Sequence, residues 1–342
     1  MSSEVFISEQ SPFIIGEIAQ NHDGSLGMCH AYIDALADEG VHAIKFQTHI
    51  ASEESTLDEP FRIKFSHQDD TRYEYWRRME FTESQWQGLK QHADERGIEF
   101  MSTPFSTKAV EMLVKLGVQC WKVGSGDTFS HELLDSMIAT DLPIIVSTGM
   151  SSWREIDDVV NKLESSGTVF SLLQCTSRYP TPLADVGLNI LDEMKRRYDC
   201  RIGLSDHTGT LTPAMIAIAR GYTLIEVHTT FDRRMFGPDI TASVTVDELG
   251  KLVQFAESVV ELDANPVDKD EMAENLKDQK ELFGKSVGLR VDLLAGHVIE
   301  EVDLIPKKPG SGIPWNEQDK VNGRRLIRDV DQNRLLTWED ME

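Results

Sequence analysis

Two histidines, two lysines and two glutamates occupy stretches of this chain where polar groups are expensive, and their types suggest one chemistry. His207 in SDHT and His228 in EVHTT each close a short apolar run. Imidazole nitrogens suit Mn, Fe, Co or Zn, and two protein ligands leave positions open for water and a substrate oxygen, as in a catalytic metal site. A hydrogen bond at a strand end explains either histidine alone just as well. Lys45 in AIKFQT and Lys122 in WKVGS lie among apolar neighbours, where an ammonium is costly unless a negative group answers it. A snorkelling surface lysine is the plainer alternative. Hydroxyls from Thr103, Ser125, Ser147 and Ser205 can join them around an anion, although each also reads as a turn or helix-cap residue. Glu17 in GEIAQNH and Glu226 in IEVH are carboxylates inside apolar runs, which must be neutral, paired or metal-linked if buried. A Glu17–Lys45 or Glu226–Lys122 pair would both fill a core and tune its proton affinities.

These residues need a scaffold that brings distant segments together. Eight short apolar runs alternate with amphipathic stretches: FIIGEI from Phe13, AIKFQT from Ala43, EFMSTP from Glu99, WKVGS from Trp121, IIVSTG from Ile144, FSLLQC from Phe170, RIGLSD from Arg201 and LIEVHTT from Leu224. That alternation predicts parallel strands each covered by a helix. In the first helix, Met28, Tyr32, Ala35 and Leu36 form one stripe, and Gly40 stops it. No GxGxxG follows the first strand, so a closed (β/α)8 TIM barrel is favoured over an open doubly wound sheet. Glu17, Lys45, Thr103, Ser125, Ser147, Ser177, His207 and His228 all fall near the C-terminal ends of these runs, which a barrel gathers at one mouth. The connection from Thr48 to Glu83, rich in charge and aromatics, has the length and composition of a lid. The expected organisation is a barrel over 1–262, a polar linker over 263–283 and a small β-rich tail over 284–342, marginal by itself at that size.

Composition narrows the partners. With 34 Lys+Arg against 58 Asp+Glu the formal net charge is -24, so the average field repels nucleic acid and anionic membranes. Any anionic substrate must meet a local cluster of cations. The four cysteines, Cys29, Cys120, Cys175 and Cys200, form no CxxC pair, which fits free thiols in a reducing compartment. There is no basic segment leading into an apolar one at the N-terminus and no run of 18 uncharged apolar residues. A cytoplasmic protein without a membrane partner is the expectation.

The strings GEIAQNHDGS, IKFQTH, STPFS, WKVGSGD, STGMSS, QCTSRYPTP, IGLSDHT, IEVHTTFDRRMFGPD and KKPGSG run in this order from about residue 13 to the tail. In this the chain resembles the sialic acid (N-acetylneuraminate) synthases and their legionaminate, pseudaminate and sialic acid 9-phosphate relatives. The resemblance implies a TIM barrel followed by an antifreeze-like (SAF) domain, in a homodimer where one chain's tail covers the other's barrel mouth. It also implies condensation of phosphoenolpyruvate with N-acetylmannosamine or a related N-acylated hexose. A 6-phosphorylated N-acetylmannosamine and a diacetamido-trideoxy hexose are the alternative sugars, and a non-enzymatic carbohydrate-binding protein is the alternative of another class. Carried over by resemblance, His207 and His228 hold a divalent metal, Mn2+ first and Mg2+ or Co2+ next. Lys45, Thr103, Lys122, Ser125, Ser147, Ser177 and Ser205 bind phosphoenolpyruvate, while Glu17 and Glu226 join the two lysines in catalysis. Asn21, His22, Tyr179, Asp239 and Lys308 belong to the sugar pocket. Two positions depart from the pattern: Ser177 stands where asparagine is usual, and Lys308 stands where an arginine reaches the acyl group, with a point donor in place of a planar fork. Without the resemblance, an aldolase with a Schiff-base lysine would be a further choice.

Overall fold

A computed structural model describes residues 11–342. Eight parallel strands are β1 (Phe13–Ala19), β2 (Ala43–Thr48), β3 (Glu99–Pro104), β4 (Trp121–Val123), β5 (Ile144–Ser147), β6 (Phe170–Cys175), β7 (Arg201–Asp206) and β8 (Leu224–Thr230). Each begins at the residue expected from the sequence. Hydrogen-bonded neighbours run β3-β2-β1-β8-β7-β6-β5-β4, and β3 lies against β4 at the two ends of that path, so the sheet curls into a near-closed barrel. A two-residue strand, β9 (Val244–Thr245), extends β8.

The helices lie outside the strands because their apolar stripes match the strands' outer faces. Helix Leu26–Asp38 starts at Ser25, whose side chain accepts from the Met28 N–H, and buries Cys29, Tyr32, Ile33 and Leu36. Met28 and Ala35 pack at the edge of that stripe, so the helix is rotated slightly from the expected register. Gly40 follows with φ +71°, a conformation that costs glycine nothing. The connection after β2 is ordered into helices Ala51–Glu54 and Arg72–Met79, the second started by a capping box between Thr71 and Glu74.

Inside the barrel, side chains repeat every second residue. The lower layer is apolar: Phe13, Ile15, Ala43, Met101, Cys120, Ile145, Leu173 and Leu224 form one cluster. One pleat further along the same strands come Glu17, Lys45, Thr103, Lys122, Ser147, Cys175 and Glu226, so alternation turns eight hydrophobic runs into a dry plug with a polar layer above it.

The chain divides into two compact units, residues 1–264 and 265–342. The last barrel helix, Val246–Ala264, closes the first unit. Most of the stretch expected as linker belongs to the second unit, as helices Lys269–Asn275 and Lys277–Phe283. There β10 (Ser286–Leu289) pairs antiparallel with β11 (Leu304–Lys307) above a core that includes Val287, Leu289, Ile299, Val321, Leu326 and Leu336. Isolated bridges and short 3-10 turns make up much of the rest, because Gly, Pro and Asn break the β-like runs before they lengthen. Among the described residues no helix is long and apolar enough to cross a membrane.

Candidate active site

Strand register sets the floor of the barrel mouth. Glu17 on β1 is level with Lys45 on β2 and with His228 on β8, and Glu226 is level with Ser205 on β7. Lys45 Nζ pairs with Glu17, lies 3.7 Å from Glu226 and donates to Thr103 Oγ1 at 3.2 Å. Lys122 Nζ donates to Ser147 Oγ at 2.7 Å and lies 3.7 Å from Glu226 on its other oxygen. Ser205 Oγ donates to Glu226 at 2.9 Å. Both lysines and both glutamates are at most 3% exposed, so this is a buried four-charge cluster with Glu226 bridging the lysines.

That arrangement splits the proton affinities. Burial raises Glu17 to about 7, with Lys45 resisting and Glu226 adding to the rise. Burial acts the same way on Glu226, but Lys122, Lys45 and the Ser205 hydrogen bond outweigh it and hold the carboxyl below its ordinary range. Lys122 is pushed down by burial, whereas Glu17 and Glu226 outweigh burial at Lys45 and raise it. Two carboxylates in one floor, one ionised and one titrating near neutrality, are an acid-base pair separated by environment.

The two imidazoles meet above this floor, with ring centroids 5.0 Å apart and Tyr179 4.2 Å from His207. His207 Nδ1 donates to the Thr176 carbonyl at 3.0 Å, which orients the ring; burial opposes its charge, but Cys175 and that carbonyl outweigh burial and raise it to about 9, so Nε2 carries a proton that a bound cation would displace. His228 Nδ1 is buried without a hydrogen-bond partner, and burial together with His207 and Lys45 keeps that ring neutral. A neutral, under-satisfied imidazole beside a second, oriented one suits a divalent cation. Among the described residues no group of three or more His, Cys, Asp or Glu is placed to hold a metal ion.

A chamber of about 450 Å³ opens over the floor, a size that suits a sugar. Its walls come from the turns after the strands, with Ser125, Ser177 and Tyr179, and from the long connection, with Phe61, Arg62, Phe65, Arg72 and Trp76. Arg62 lies 3.0 Å from Asp239 and covers the Tyr179 ring at 4.4 Å. His49 is stacked between Trp76 and Phe105, receives Gln20 at 2.8 Å and bonds Glu54 at 2.5 Å. Gln47 donates to Glu17 at 2.9 Å and accepts from Gln20 at 2.7 Å, which ties the floor to this wall.

The fold thus gathers Glu17, Lys45, Thr103, Lys122, Ser125, Ser147, Ser177, Tyr179, Ser205, His207, Glu226, His228 and Asp239 in one mouth. Asn21 and His22 line neither the chamber nor the floor. Asn21 is a buckle, donating to the Thr229 carbonyl at 2.7 Å and to Ser243 at 3.0 Å. His22 packs on Phe81, accepts from the Gly24 N–H and is kept neutral by burial, which lowers it to about 3. Lys308 belongs to the second unit, with its ammonium over Phe283 at 5.3 Å. Gln47, Cys175, His49 and Arg62 were not singled out from the sequence. Period-two spacing from Lys45 and from Ser177 was the available signal for the first two; nothing local marks the others.

Gly149 carries a steric requirement. A Cβ there would sit 2.5 Å from Ser177 Oγ, 2.8 Å from Cys175 Sγ and 2.9 Å from Ser125 Oγ. Gly149→Ala is expected to raise KM for an anionic substrate about tenfold, since overpacking costs about 1–3 kcal/mol. Thermal melting within a few degrees of the parent, beside steady-state kinetics, checks that the effect is local.

Fold and floor define a TIM-barrel enzyme with a buried lysine–glutamate cluster and a histidine pair at the strand C-termini. The signature of the NeuB family matches residues 32–267. An N,N'-diacetyllegionaminic acid synthase of Legionella pneumophila is 32% identical, over 98% of this chain and 96% of that protein. The N-acetylneuraminate-9-phosphate synthase of Homo sapiens is 31% identical, over 98% and 94%. An N-acetylneuraminic acid (sialic acid) synthetase structure from Leptospira borgpetersenii, in complex with citrate, superposes with a TM-score of 0.70 at 29% identity, covering 80% of this chain and 93% of that one. The chain belongs to the NeuB family.

Proposed function

We propose that this protein condenses phosphoenolpyruvate with an N-acylated hexose of the N-acetylmannosamine type and water, giving a nonulosonic acid and phosphate. The observation that carries this reading is the buried Lys45–Glu17–Glu226–Lys122 floor beneath the His207–His228 pair. Lys45 and Lys122, with the hydroxyls of Thr103, Ser125, Ser147, Ser177 and Ser205, take the carboxylate and phosphate of phosphoenolpyruvate. Tyr179 and Asp239 face the sugar. His207 and His228 would hold the divalent cation, Mn2+ before Mg2+ or Co2+, which when bound supplies Lewis-acid polarisation of the sugar aldehyde.

The vinyl carbon of phosphoenolpyruvate forms the new C–C bond to the aldehyde carbon, whose oxygen becomes a hydroxyl by gaining one proton. Glu226 is ionised and has no proton to give that oxygen; it holds the Lys122 ammonium 3.7 Å away, and that ammonium, its proton affinity lowered by burial, is the proton source. Water adds to the electron-poor enol carbon and gives its proton to Glu17. The resulting tetrahedral carbon collapses: its hydroxyl returns a proton to Lys122 as the C=O forms, the C–O bond to phosphate breaks, and phosphate leaves with the proton held by Glu17. The active unit is a homodimer in which the tail, residues 284–342, is the antifreeze-like domain and covers the partner's mouth, bringing Lys308 to the acyl group. Exposed Leu294, Val302 and Trp338 give that tail apolar surface for a partner. The setting is the cytoplasm.

A base that must be ionised fixes the sign of the pH dependence. Below about 7 Glu17 holds its proton, so kcat/KM is expected to rise as pH increases through that value. A Glu17→Gln variant should be slow and lack that limb. The reading itself is tested by mass spectrometry of incubations with phosphoenolpyruvate, Mn2+ and the amino sugar. A nine-carbon acid and free phosphate are expected, both abolished by EDTA; a substrate adduct trapped on lysine by borohydride, formed with EDTA present, would refute it.

A further inference from the structure

A line of hydrogen bonds runs from Glu17 to the connection that follows β2. Gln47 donates from Nε2 to Glu17 Oε1 at 2.9 Å, and its own oxygen accepts from Gln20 Nε2 at 2.7 Å. The same Gln20 nitrogen lies 2.8 Å from His49 Nε2. His49 Nδ1 lies 2.5 Å from Glu54, whose second oxygen accepts from the Ile50 N–H at 3.4 Å. Gln20 and His49 are buried, and the imidazole is held in place by the stacked rings of Trp76 and Phe105.

One proton arrangement satisfies both short contacts of the Gln20 nitrogen. An amide nitrogen only donates, so its two hydrogens go to Gln47 Oε1 and His49 Nε2, two acceptors 3.3 Å apart. His49 Nε2 is then unprotonated, which places the ring proton on Nδ1, directed at the Glu54 carboxylate. With its oxygen held by Gln20, Gln47 keeps its N–H toward Glu17; turned over, it would set an amide oxygen against the carboxylate. The charged groups around Glu17 are Lys45 on β2 and Glu226 on β8, and the neutral His228 ring is level with it. We propose that Gln20 and His49 are positioning residues for the condensation, holding the Gln47 amide so that its N–H stabilises ionised Glu17. The inference rests on the reading of Glu17 as the base that takes the proton from water, and adds the residues that keep it ionised. A hydrogen bond to the charged form lowers a carboxyl's proton affinity, and Gln47 acts on Glu17 in that direction.

The test is the pH profile of kcat/KM for phosphoenolpyruvate in the full-length protein, with Mn2+ and saturating N-acetylmannosamine, for the parent, Gln20→Leu and His49→Phe. Leucine nearly keeps the volume of Gln20, and phenylalanine keeps a ring between Trp76 and Phe105. In Gln20→Leu the limb near 7 is expected to move up by about one unit, so that kcat/KM falls about fivefold at pH 7 but less than about twofold at pH 9. His49→Phe should move the limb the same way. A purely structural lesion lowers the rate alike at every pH, so a limb unmoved in both variants overturns the inference while leaving condensation and Glu17 intact. A parent profile without the limb overturns the base and its positioning together. Thermal melting shows whether Gln20→Leu folds, and if it does not, His49→Phe decides alone. Placed in a Glu17→Gln background, His49→Phe should cost less than about twofold more at pH 7, and an additional loss as large as in the parent counts against action through Glu17.

Discussion

A Glu226→Gln enzyme is expected to turn over about 1,000-fold more slowly than the parent while binding phosphoenolpyruvate at least as tightly, because the Lys122 proton donor loses the carboxylate that holds it and a positioned proton transfer is worth about 10²–10⁴-fold. The two halves of that result have one cause. Glu226 lies 3.7 Å from each lysine and is the negative charge they share, so it competes with the substrate's phosphate and carboxylate for the same ammonium groups. Neutralising it leaves Lys45 with Glu17 and Lys122 with no close carboxylate, and an incoming polyanion then relieves an uncompensated buried charge. The amide keeps the Ser205 hydrogen bond, which limits the loss of fold. Steady-state kinetics and titration calorimetry check the split. Intact turnover, or phosphoenolpyruvate binding weakened more than about tenfold, would instead make Glu226 a packing element, since one tenfold step is about 1.4 kcal/mol.

The second large effect concerns the imidazoles. His207→Ala combined with His228→Ala should abolish metal-dependent product formation, a loss of at least about 10⁴-fold, with little change in melting temperature. A cation held by two protein ligands loses its whole protein donor set in that variant, and charge stabilisation of the reacting oxygen goes with it. The fold should persist because both rings stand above the apolar plug rather than within it. Equilibrium dialysis against Mn2+ separates lost metal from lost chemistry. Full activity in the double variant would remove the metal from the account.

The barrel was legible because its strands obey a strong local rule: eight apolar runs, each bounded by a turn, begin at the positions expected. The floor was partly legible for the same reason. A charged residue such as Lys45 inside AIKFQT violates the pattern of its own strand, and such violations mark functional positions. Gln47 and Cys175 were missed although they share a face with flagged neighbours, because an amide and a thiol do not offend a half-polar strand end. Arg62 and His49 were missed for another reason. Their roles depend on how the connection after β2 folds back, which puts Arg62 3.0 Å from Asp239 across 177 residues, and no local period encodes that contact. Asn21 and His22, expected in the sugar pocket, hydrogen-bond beside it instead of lining it, Asn21 to the Thr229 carbonyl and Ser243 and His22 to the Gly24 N–H. In the second unit the Gly, Pro and Asn turns were visible, and they leave β10 and β11 as its paired strands.

The most direct measurement is a crystal structure of the protein soaked with Mn2+ and phosphoenolpyruvate, with anomalous scattering used to locate the metal. The account predicts a manganese peak between the His207 and His228 rings and a phosphate within hydrogen-bond reach of the Lys45 or Lys122 ammonium. Manganese bound elsewhere, or phosphoenolpyruvate away from the barrel floor, would contradict it.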